Sequence, residues 1–249
     1  MEVIDRPVVL PKPAFLTAWE MIDLGDPHPV IGTNLRYVTT DGFARRLHAR
    51  TMELLGEHGL ARNNRLNGLW RSTLRVIDRA ESEYYGWSTF RDGTSCAVLI
   101  AHRGGAAVRV VVNDSIVIVE PVAPKWPATT LLDTLPEAPA AAVRTVSVPR
   151  RLFDDPNPMP ASPLADPEDT GDVDYVKRVM AEPRDAVHQL YTARRADAGS
   201  RISSSPVTAL DLTGRGRVLS FETGDEHVIL KAATPRDFVL TLNTTHESL

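Results

Sequence analysis

The strongest constraint on the fold of this chain is a pattern of segments that occurs twice. The first copy runs from Leu74 to Leu135 and reads as a helix end, three or more strands and a closing helix. The second copy runs from Lys177 to Leu242 in the same order, and matching positions keep a nearly constant offset. The matching pairs are Val76 with Val179, Arg109 with Arg217 and Pro124 with Pro235. A period this long, present twice, indicates a duplicated half-domain, because a solenoid needs at least about three shorter units.

The strands of the first copy are predicted to pair with their neighbours in sequence. Two β-branched runs flank Asn113-Asp114, residues that tolerate positive φ and suit a tight hairpin. Arg103, Gly104 and Gly105 supply the preceding turn. Connections this short cannot make a parallel crossover, so the pattern predicts antiparallel pairing.

Hydrophobic periodicity places helices before, between and after these strands. The predicted elements outside the meanders are an edge strand at Val3–Leu10, helices at Phe15–Leu24, Asp41–Leu60, Leu66–Ala80, Trp126–Leu135 and Asp172–Ala181, a strand turning into a helix at Val146–Asp154, and a last helix capped by Thr234. Pro7 favours an edge position because proline cannot donate to a ladder. The apolar stripes include Phe43 and Leu69, so both side chains are expected to be buried.

Composition and charge narrow the class of protein. The 249 residues carry a net charge of −4, which argues against a dedicated nucleic-acid binder, since such domains are usually basic. The one cysteine, Cys96, allows neither an intrachain disulfide nor a cysteine-based metal cluster, which suits a reducing cytosol. No stretch approaches the roughly 20 apolar residues of a membrane span, and the N-terminus lacks the features of a signal peptide. We therefore expect a soluble, cytoplasmic protein.

One segment is rich in proline. Residues 156, 158, 160, 163 and 167 are all proline, and acidic residues lie around them. Closely spaced prolines favour extended backbone and cannot continue a helix or a central strand. The composition therefore predicts a mobile or extended loop over 155–167.

No catalytic signature accompanies either copy. The histidines form no His-Glu-x-x-His pair, and the chain has no Gly-x-Ser-x-Gly elbow, phosphate-binding glycine loop or dinucleotide fingerprint. Cys96 lies in an apolar strand and is expected to be a small core residue. The sequence therefore predicts no enzyme activity, no cofactor and no metal site. The residues that remain open for catalysis are His188 and the carboxylates in or beside the proline-rich loop, namely Asp154, Asp155, Asp166, Glu168 and Asp169.

The densest aromatic cluster is Tyr84, Tyr85, Trp87 and Phe90, in the first strand of the first copy. Strand alternation puts Tyr85 and Trp87 on one face of the sheet and Tyr84 and Phe90 on the other. Two aromatics on each face predict that neither face is wholly solvated. The matching strand of the second copy differs, because it carries Gln189, Arg194 and Arg195.

Ordered stretches over almost the whole length carry a resemblance to a known family. They are the opening helix FLTAWEMIDLG, the stretch VVVNDSIVIVEPVAPKWPATTLLDTLP, the central VRTVSVPRRLF, and SPVTALDLTGRGRVLSFETGDEHVILKAATPRDFVLTL near the end. With these stretches in this order, the chain resembles the ESX secretion-associated EspG proteins of actinobacterial type VII secretion.

The resemblance implies an α+β fold with pseudo-twofold symmetry. One central antiparallel β-sheet is flanked by two α-helical bundles, and the two copies build one continuous sheet. We therefore expect a single domain, 1–249, made of two related halves at about 1–140 and 141–249.

The resemblance also implies a cytosolic, non-enzymatic chaperone. Family members bind the helical tip of a PPE-type protein within a PE–PPE heterodimer and keep it soluble until export. They use the sheet, the second helical bundle and a loop between two central strands, which corresponds here to Arg91, Asp92, Gly93 and Thr94. Arg91, Asp92 and Arg194 are rim candidates. Phe221 and Phe238 are candidate apolar anchors, with burial in the core as the favoured alternative for both.

Two other classes of function stay open on the sequence. An enzyme could hold a small-molecule or metal site between the halves, using His188 or the loop carboxylates. A structural homodimer could pair through an exposed sheet edge. We expect a monomer or a weak homodimer with a PPE-like partner. The sequence does not indicate the cognate pair, the affinity or the trigger of release.

Overall fold

The computed structural model describes residues 2–32, 41–154, 171–196 and 199–249. The predicted proline-rich loop at 155–167 lies outside these residues. The strands are β1 Val8–Pro11, β2 Ala61–Arg62, β3 Arg65–Leu66, β4 Ser82–Phe90, β5 Ser95–Arg103, β6 Ala106–Val112, β7 Ile116–Pro121, β8 Val146–Pro149, β9 Arg184–Arg195, β10 Arg201–Ser203, β11 Val207–Leu212, β12 Gly216–Glu222 and β13 His227–Ala232. The helices are α1 Lys12–Glu20, α2 Asp41–Glu57, α3 Gly68–Asp78, α4 Pro127–Leu132, α5 Arg150–Asp154, α6 Gly171–Met180 and α7 Pro235–Glu247. No helix within the described ranges has the length and apolar character to cross a membrane.

Eleven strands form one sheet in the order β1-β7-β6-β5-β4-β9-β11-β12-β13-β8, with β10 paired to β9 beside this path. All of these pairs are antiparallel. At the centre, β4 pairs with β9 from Ser82 opposite Arg194 to Phe90 opposite Ala186. The predicted α+β class with a central antiparallel sheet is therefore confirmed.

The strand order reads the same from either edge. The sequence β1-β7-β6-β5-β4 of the first half has its counterpart in β8-β13-β12-β11-β9 of the second half. An edge strand, a long central strand and a meander thus take equivalent places in each half. The division near residue 140 and the origin of the halves by duplication both stay predictions.

The turns explain why neighbouring strands are antiparallel. Gly104 and Gly105 join β5 to β6 with φ angles of 55° and 79°, which residues other than glycine rarely adopt. The hairpin between β6 and β7 forms as predicted, but not through positive φ. Instead, the Asn113 side-chain oxygen accepts hydrogen bonds from the backbone N–H groups of Ser115 and Ile116 at 2.9 Å each. The asparagine therefore closes the turn with its side chain.

Helices cover both faces of the sheet. On the face that we call the bundle face, α1, α2 and α3 pack over the first half around Phe15, Trp19 and Trp70. On the same face, α5 and α6 pack over the outer strands of the second half around Val176 and Leu230. Two helical bundles are therefore present on this face, at its two ends.

The opposite face, which we call the α7 face, is covered by one helix from each half. Phe238 and Leu242 of α7 and Leu131 of α4 pack against Ile100, Leu190 and other residues of the inner strands. Helices α4 and α7 therefore lie on the opposite face from the two bundles, where they contact each other. Thr234 caps α7 as predicted, accepting a hydrogen bond from the N–H of Asp237.

Three helices differ from the prediction in their ends or in the side chains that they bury. The first helix begins at Lys12 and ends at Glu20, earlier than the predicted Phe15–Leu24, because proline fits its first turn. Phe43 and Leu69 were expected in the core, yet they are 48% and 37% exposed. The rotation of α3 is set by the buried Trp70, and Leu69, one position earlier, points about 100° away from that face.

Gly86 lies at the centre of the sheet, and we expect Gly86→Ala to destabilise the fold. A Cβ atom at this position would lie 2.4 Å from the backbone oxygen of Gln189, so β4 and β9 would have to shift apart. Overpacking of this kind costs about 1–3 kcal/mol. Urea denaturation of both proteins measures the loss.

The matched control is Gly68→Ala at the start of α3, where an added Cβ atom meets nothing within 4 Å. This variant should unfold like the wild type or slightly later. Equal unfolding midpoints for the two variants would show that β4 and β9 are not in contact at Gly86.

Candidate functional site

Within the part of the chain that the structure describes, the bundle face is open at its centre, between the two groups of helices. Here Trp87 of β4, Gln189 and Tyr191 of β9 and Thr208 of β11 lie side by side, because Trp87 pairs with Gln189 and Gln189 pairs with Thr208. Gln189 is exposed and the other three side chains are half-buried. We call these four residues the central strip.

The aromatic part of the strip is held by ring contacts. Tyr191 stacks on the buried Tyr85, with ring centroids 5.4 Å apart and an interplanar angle of 14°. Trp87 meets both tyrosine rings edge to face, each at 5.7 Å between centroids. Such contacts fix the rings before any partner binds, so little side-chain entropy is left to lose on binding.

A cleft of about 360 Å³ borders Trp87 on the side of the first bundle. Its lining includes Lys12, Pro29, Val30, Trp87 and Thr89. The indole of Trp87 therefore forms part of a concave surface, the shape that receives an inserted side chain from another protein.

The predicted binding loop Arg91–Thr94 is the turn between β4 and β5, at one end of the central strands. Its four residues are exposed. The Asp92 carboxylate accepts hydrogen bonds from the hydroxyl and the backbone N–H of Thr94, and these bonds lower the pKa of Asp92. The backbone N–H of Arg91 donates to the carbonyl of Asp185 at 2.8 Å, which fixes the turn beside the first residues of β9.

The structure does not bring Arg194 together with this turn. Arg194 pairs with Ser82 at the far end of the same strands, about 30 Å from Arg91 at the rise of an extended strand. Its position opposite Ser82 places it on the α7 face. There its charge, added to the larger effect of burial, lowers the pKa of His246 in α7. Arg194 and Arg91 therefore cannot border one small site.

The candidate anchors Phe221 and Phe238 also lie on the α7 face. Phe238 is 1% exposed and belongs to the core, as the alternative prediction had it. Phe221 is half-buried and lines a groove of about 710 Å³ beside α7. The Lys231 ammonium lies 5.5 Å from the centroid of its ring. Neither phenylalanine is part of the central strip.

None of the four strip residues was among the predicted binding residues. Trp87 was noted in the sequence only as part of the aromatic cluster, and Gln189 only as a difference in the matching strand. Tyr191 and Thr208 were not noted. The signal that identifies them is the alternation of β9 and β11 combined with the register against β4. That register puts every second residue of three neighbouring strands on the face of Tyr85 and Trp87. The register depends on pairing between residues about 100 positions apart, which periodicity within one segment does not reveal.

A buried row of polar side chains crosses the seam between the halves on the α7 face. The Ser88 hydroxyl lies 2.7 Å from His188 Nδ1, and His188 Nε2 lies 3.1 Å from the Asp211 carboxylate. Arg217 donates to both carboxylate oxygens of Asp211, at 2.5 and 2.9 Å, and to the carbonyl of Pro136. The row links β4, β9, β11 and β12 to the segment that follows α4.

This row contains the residue types of a hydrolase triad, and His188 was the sequence candidate for catalysis. Ser88 is 2% exposed and His188 is fully buried, so both side chains occupy positions in the protein interior. The imidazole also faces the serine with Nδ1 and the aspartate with Nε2, the reverse of the protease arrangement. The side chains of the alternative carboxylates, Asp154 and those at 155, 166, 168 and 169, lie outside the described residues.

The electrostatics of Asp211 fit a structural role for the row. Burial opposes its ionisation, but hydrogen bonds from Arg217 and His188 outweigh that effect and hold the pKa at about 2. Cys96, opposite Ser88, is half-buried, and burial raises the pKa of its thiol. Among the described residues, no group of three or more His, Cys, Asp or Glu side chains is placed to hold a metal ion.

Comparison with known proteins adds a family and a fold relative. A model of the EspG family matches residues 11–244. No curated protein matches the chain. Fifteen chains of solved structures match, and one comes from the structure of the Mycobacterium tuberculosis type VII secretion system chaperone EspG5 in complex with a PE25–PPE41 dimer. That chain is 14% identical in sequence, with a TM-score of 0.70 over 98% of this chain and 96% of the EspG5 chain.

We expect Asp211→Asn to lower the free energy of unfolding at pH 7 by on the order of 2 kcal/mol or more, because it weakens the bonds to Arg217 and His188. The pKa of folded Asp211 lies below its ordinary value of 3.8. The contribution of Asp211 to the free energy of unfolding is therefore present above about pH 4 and is lost as the pH falls towards 2. Urea titrations from pH 7 to pH 3 should show the difference from wild type shrinking.

The same substitution at the exposed Asp114, in the turn between β6 and β7, is the control and should change stability little at any pH. A difference between wild type and Asp211→Asn that stays constant down to pH 3 would contradict an ionised, bonded Asp211.

Proposed function

The chain belongs to the EspG family, and we propose on that premise that it is a cytosolic chaperone of type VII secretion. Its client is a PPE-type protein within a PE–PPE heterodimer. The chaperone covers an apolar end of the client and keeps it soluble until export. No chemical step is part of this function.

The observation that carries the proposal is the open central strip between the two bundles. Trp87 and Tyr191 supply rigid aromatic surface, and Gln189 and Thr208 supply hydrogen-bonding groups beside it. Tryptophan and tyrosine are the residues most often found as energetic centres of protein interfaces. A standard interface covers about 800 Å² on each partner, an area that needs the strip together with its flanking bundles.

The position of the Arg91–Thr94 turn supports the same surface. The turn lies at the end of β4 and beside the start of β9, the strands that carry Trp87 and Gln189. We propose that Arg91 and Asp92 form the rim of the interface at this end. Because both side chains are exposed, their contribution is to orientation and association rate more than to affinity.

The fold relative supports the class of client. The EspG5 chain was solved with a PE25–PPE41 dimer, and its fold matches this chain over nearly the whole length. A similar scaffold with an open aromatic surface suits the same kind of client, an apolar helical tip. The second half of the fold contributes β9, β11 and the bundle of α5 and α6 to this surface.

Co-expression with PE–PPE-type pairs from the source organism tests the proposal. We expect a stable complex on size exclusion, and we expect Trp87→Ala to weaken it about tenfold or more, because a central indole is lost. The matched control is Trp126→Ala, since Trp126 is 67% exposed and lies outside the strip, immediately before α4. Titration calorimetry on the purified proteins measures both affinities.

Each variant must keep the wild-type unfolding midpoint for the comparison to count. If Trp126→Ala lost binding and Trp87→Ala bound like the wild type, the result would show that the interface does not lie on the strip. Failure to form a complex with any PE–PPE-type pair would contradict the proposed function itself.

A further inference from the structure

The sheet has a notch in its second half. Strands β10 and β11 both pair with the same side of β9, and the segment Ser204–Pro206 connects them. On its outer side β11 pairs with β12, but β12 ends at Glu222, opposite the start of β11. Among the described strands, β10 therefore pairs with β9 alone and its outer edge is free.

The backbone of β10 presents hydrogen-bonding groups to this notch. Ser204 N–H donates to the carbonyl of Thr192, and the carbonyl of Ser200 accepts from Ala196 N–H, so these positions face β9. Alternation along an antiparallel ladder then turns the N–H and C=O groups of Arg201 and Ser203 to the outer side. Arg201, Ile202 and Ser203 are exposed.

The notch is continuous with the groove of about 710 Å³ beside α7. Its walls are Ser203 on one side, Phe221 on a second and Leu240 of α7 on a third. Leu240 is 56% exposed, so it offers apolar surface to a partner in the groove that Ser203 also lines. Thr241 also lines this groove. The residue is buried, with 5% of its surface exposed, and its hydroxyl has no hydrogen-bond partner among the described residues.

The first half has no such notch. Its equivalent strand β5 runs without a break from Ser95 to Arg103, and β6 pairs with it as far as Arg103. The notch also adjoins the central strip, because the Ser203 hydroxyl lies 2.6 Å from the Tyr85 hydroxyl beneath Tyr191. The edge strand β10 therefore lies directly beside the aromatic rings that support the strip.

We propose that an extended segment of the bound PPE-type partner adds to β10 as a further strand. The N–H and C=O groups of Ser203 and Arg201 pair with its backbone, and one of its apolar side chains packs over Phe221 and Leu240. At about 3.3 Å per residue, the edge from Arg201 to Ser205 accommodates roughly four residues. The inference rests on the proposed function, since the strip brings the segment to the notch.

The variant Ser203→Pro tests this pairing. Proline removes the outward N–H and leaves the bonds between β10 and β9 in place, because proline is tolerated on an edge strand. We expect affinity for the co-purified PE–PPE-type pair to fall about threefold to tenfold, the effect of one backbone hydrogen bond. Ser203→Ala, the matched control, removes only the hydroxyl and should bind within about twofold of wild type.

Hydrogen exchange of the wild-type complex supplies a readout that does not depend on any variant. The amides of Arg201 and Ser203 should gain protection in the complex, while the exposed turn at Asp225 should not. Unchanged exchange at both amides, or equal affinity of Ser203→Pro and Ser203→Ala, would overturn the added strand. If Trp87→Ala still weakens binding about tenfold or more in that case, the proposed function stands without the added strand.

The alternative occupant of this edge is a second copy of the same chain. Light scattering on the isolated protein would show a dimer that Ser203→Pro dissociates, and that result would overturn the proposal in favour of a second copy of this chain. Absence of any complex with the PE–PPE-type pair would overturn both the proposed function and the added strand.

Discussion

The antiparallel pairing of β4 with β9 is the interaction on which the rest of the structure depends. It is the one place where a strand of the first half hydrogen-bonds to a strand of the second half within the described sheet path. Its register places Gly86 against Leu190 and Ser88 against His188, so close backbone approach and a buried hydrogen bond coincide at the seam. A shift by one residue would exchange the faces of every side chain on β9.

That seam also determines where a surface stays open. In the first half, helices α1 and α3 cover apolar inner-strand residues such as Leu99 and Val110. In the second half, α5 and α6 pack over the outer strands and over the later part of β11, around Val148, Leu230 and Leu210. The inner strands β9 and β11 carry Gln189 and Thr208 at that face, which need no apolar cover. The open strip thus follows from which strands each bundle covers.

Much of the fold could be predicted from the sequence, because its signals are local. Glycine turns, the asparagine hairpin and the Thr234 cap each act over a few residues, and all appear at the predicted places. The site could be predicted only in part. Trp87 and Gln189 stood out in the sequence, but Tyr191 and Thr208 join them through pairing between distant segments. Tertiary packing likewise decides that Arg194 lies on the α7 face and that α4 and α7 pack together there.

The central claim is that a client protein lies on the strip between the bundles. Site-specific photo-crosslinking tests it most directly, with a photoreactive phenylalanine analogue in place of the exposed Gln189, and in place of Trp126 as the reference position. The account predicts a crosslink from position 189 to the PPE-type subunit and none from position 126. A crosslink from position 126 with none from position 189 would contradict it.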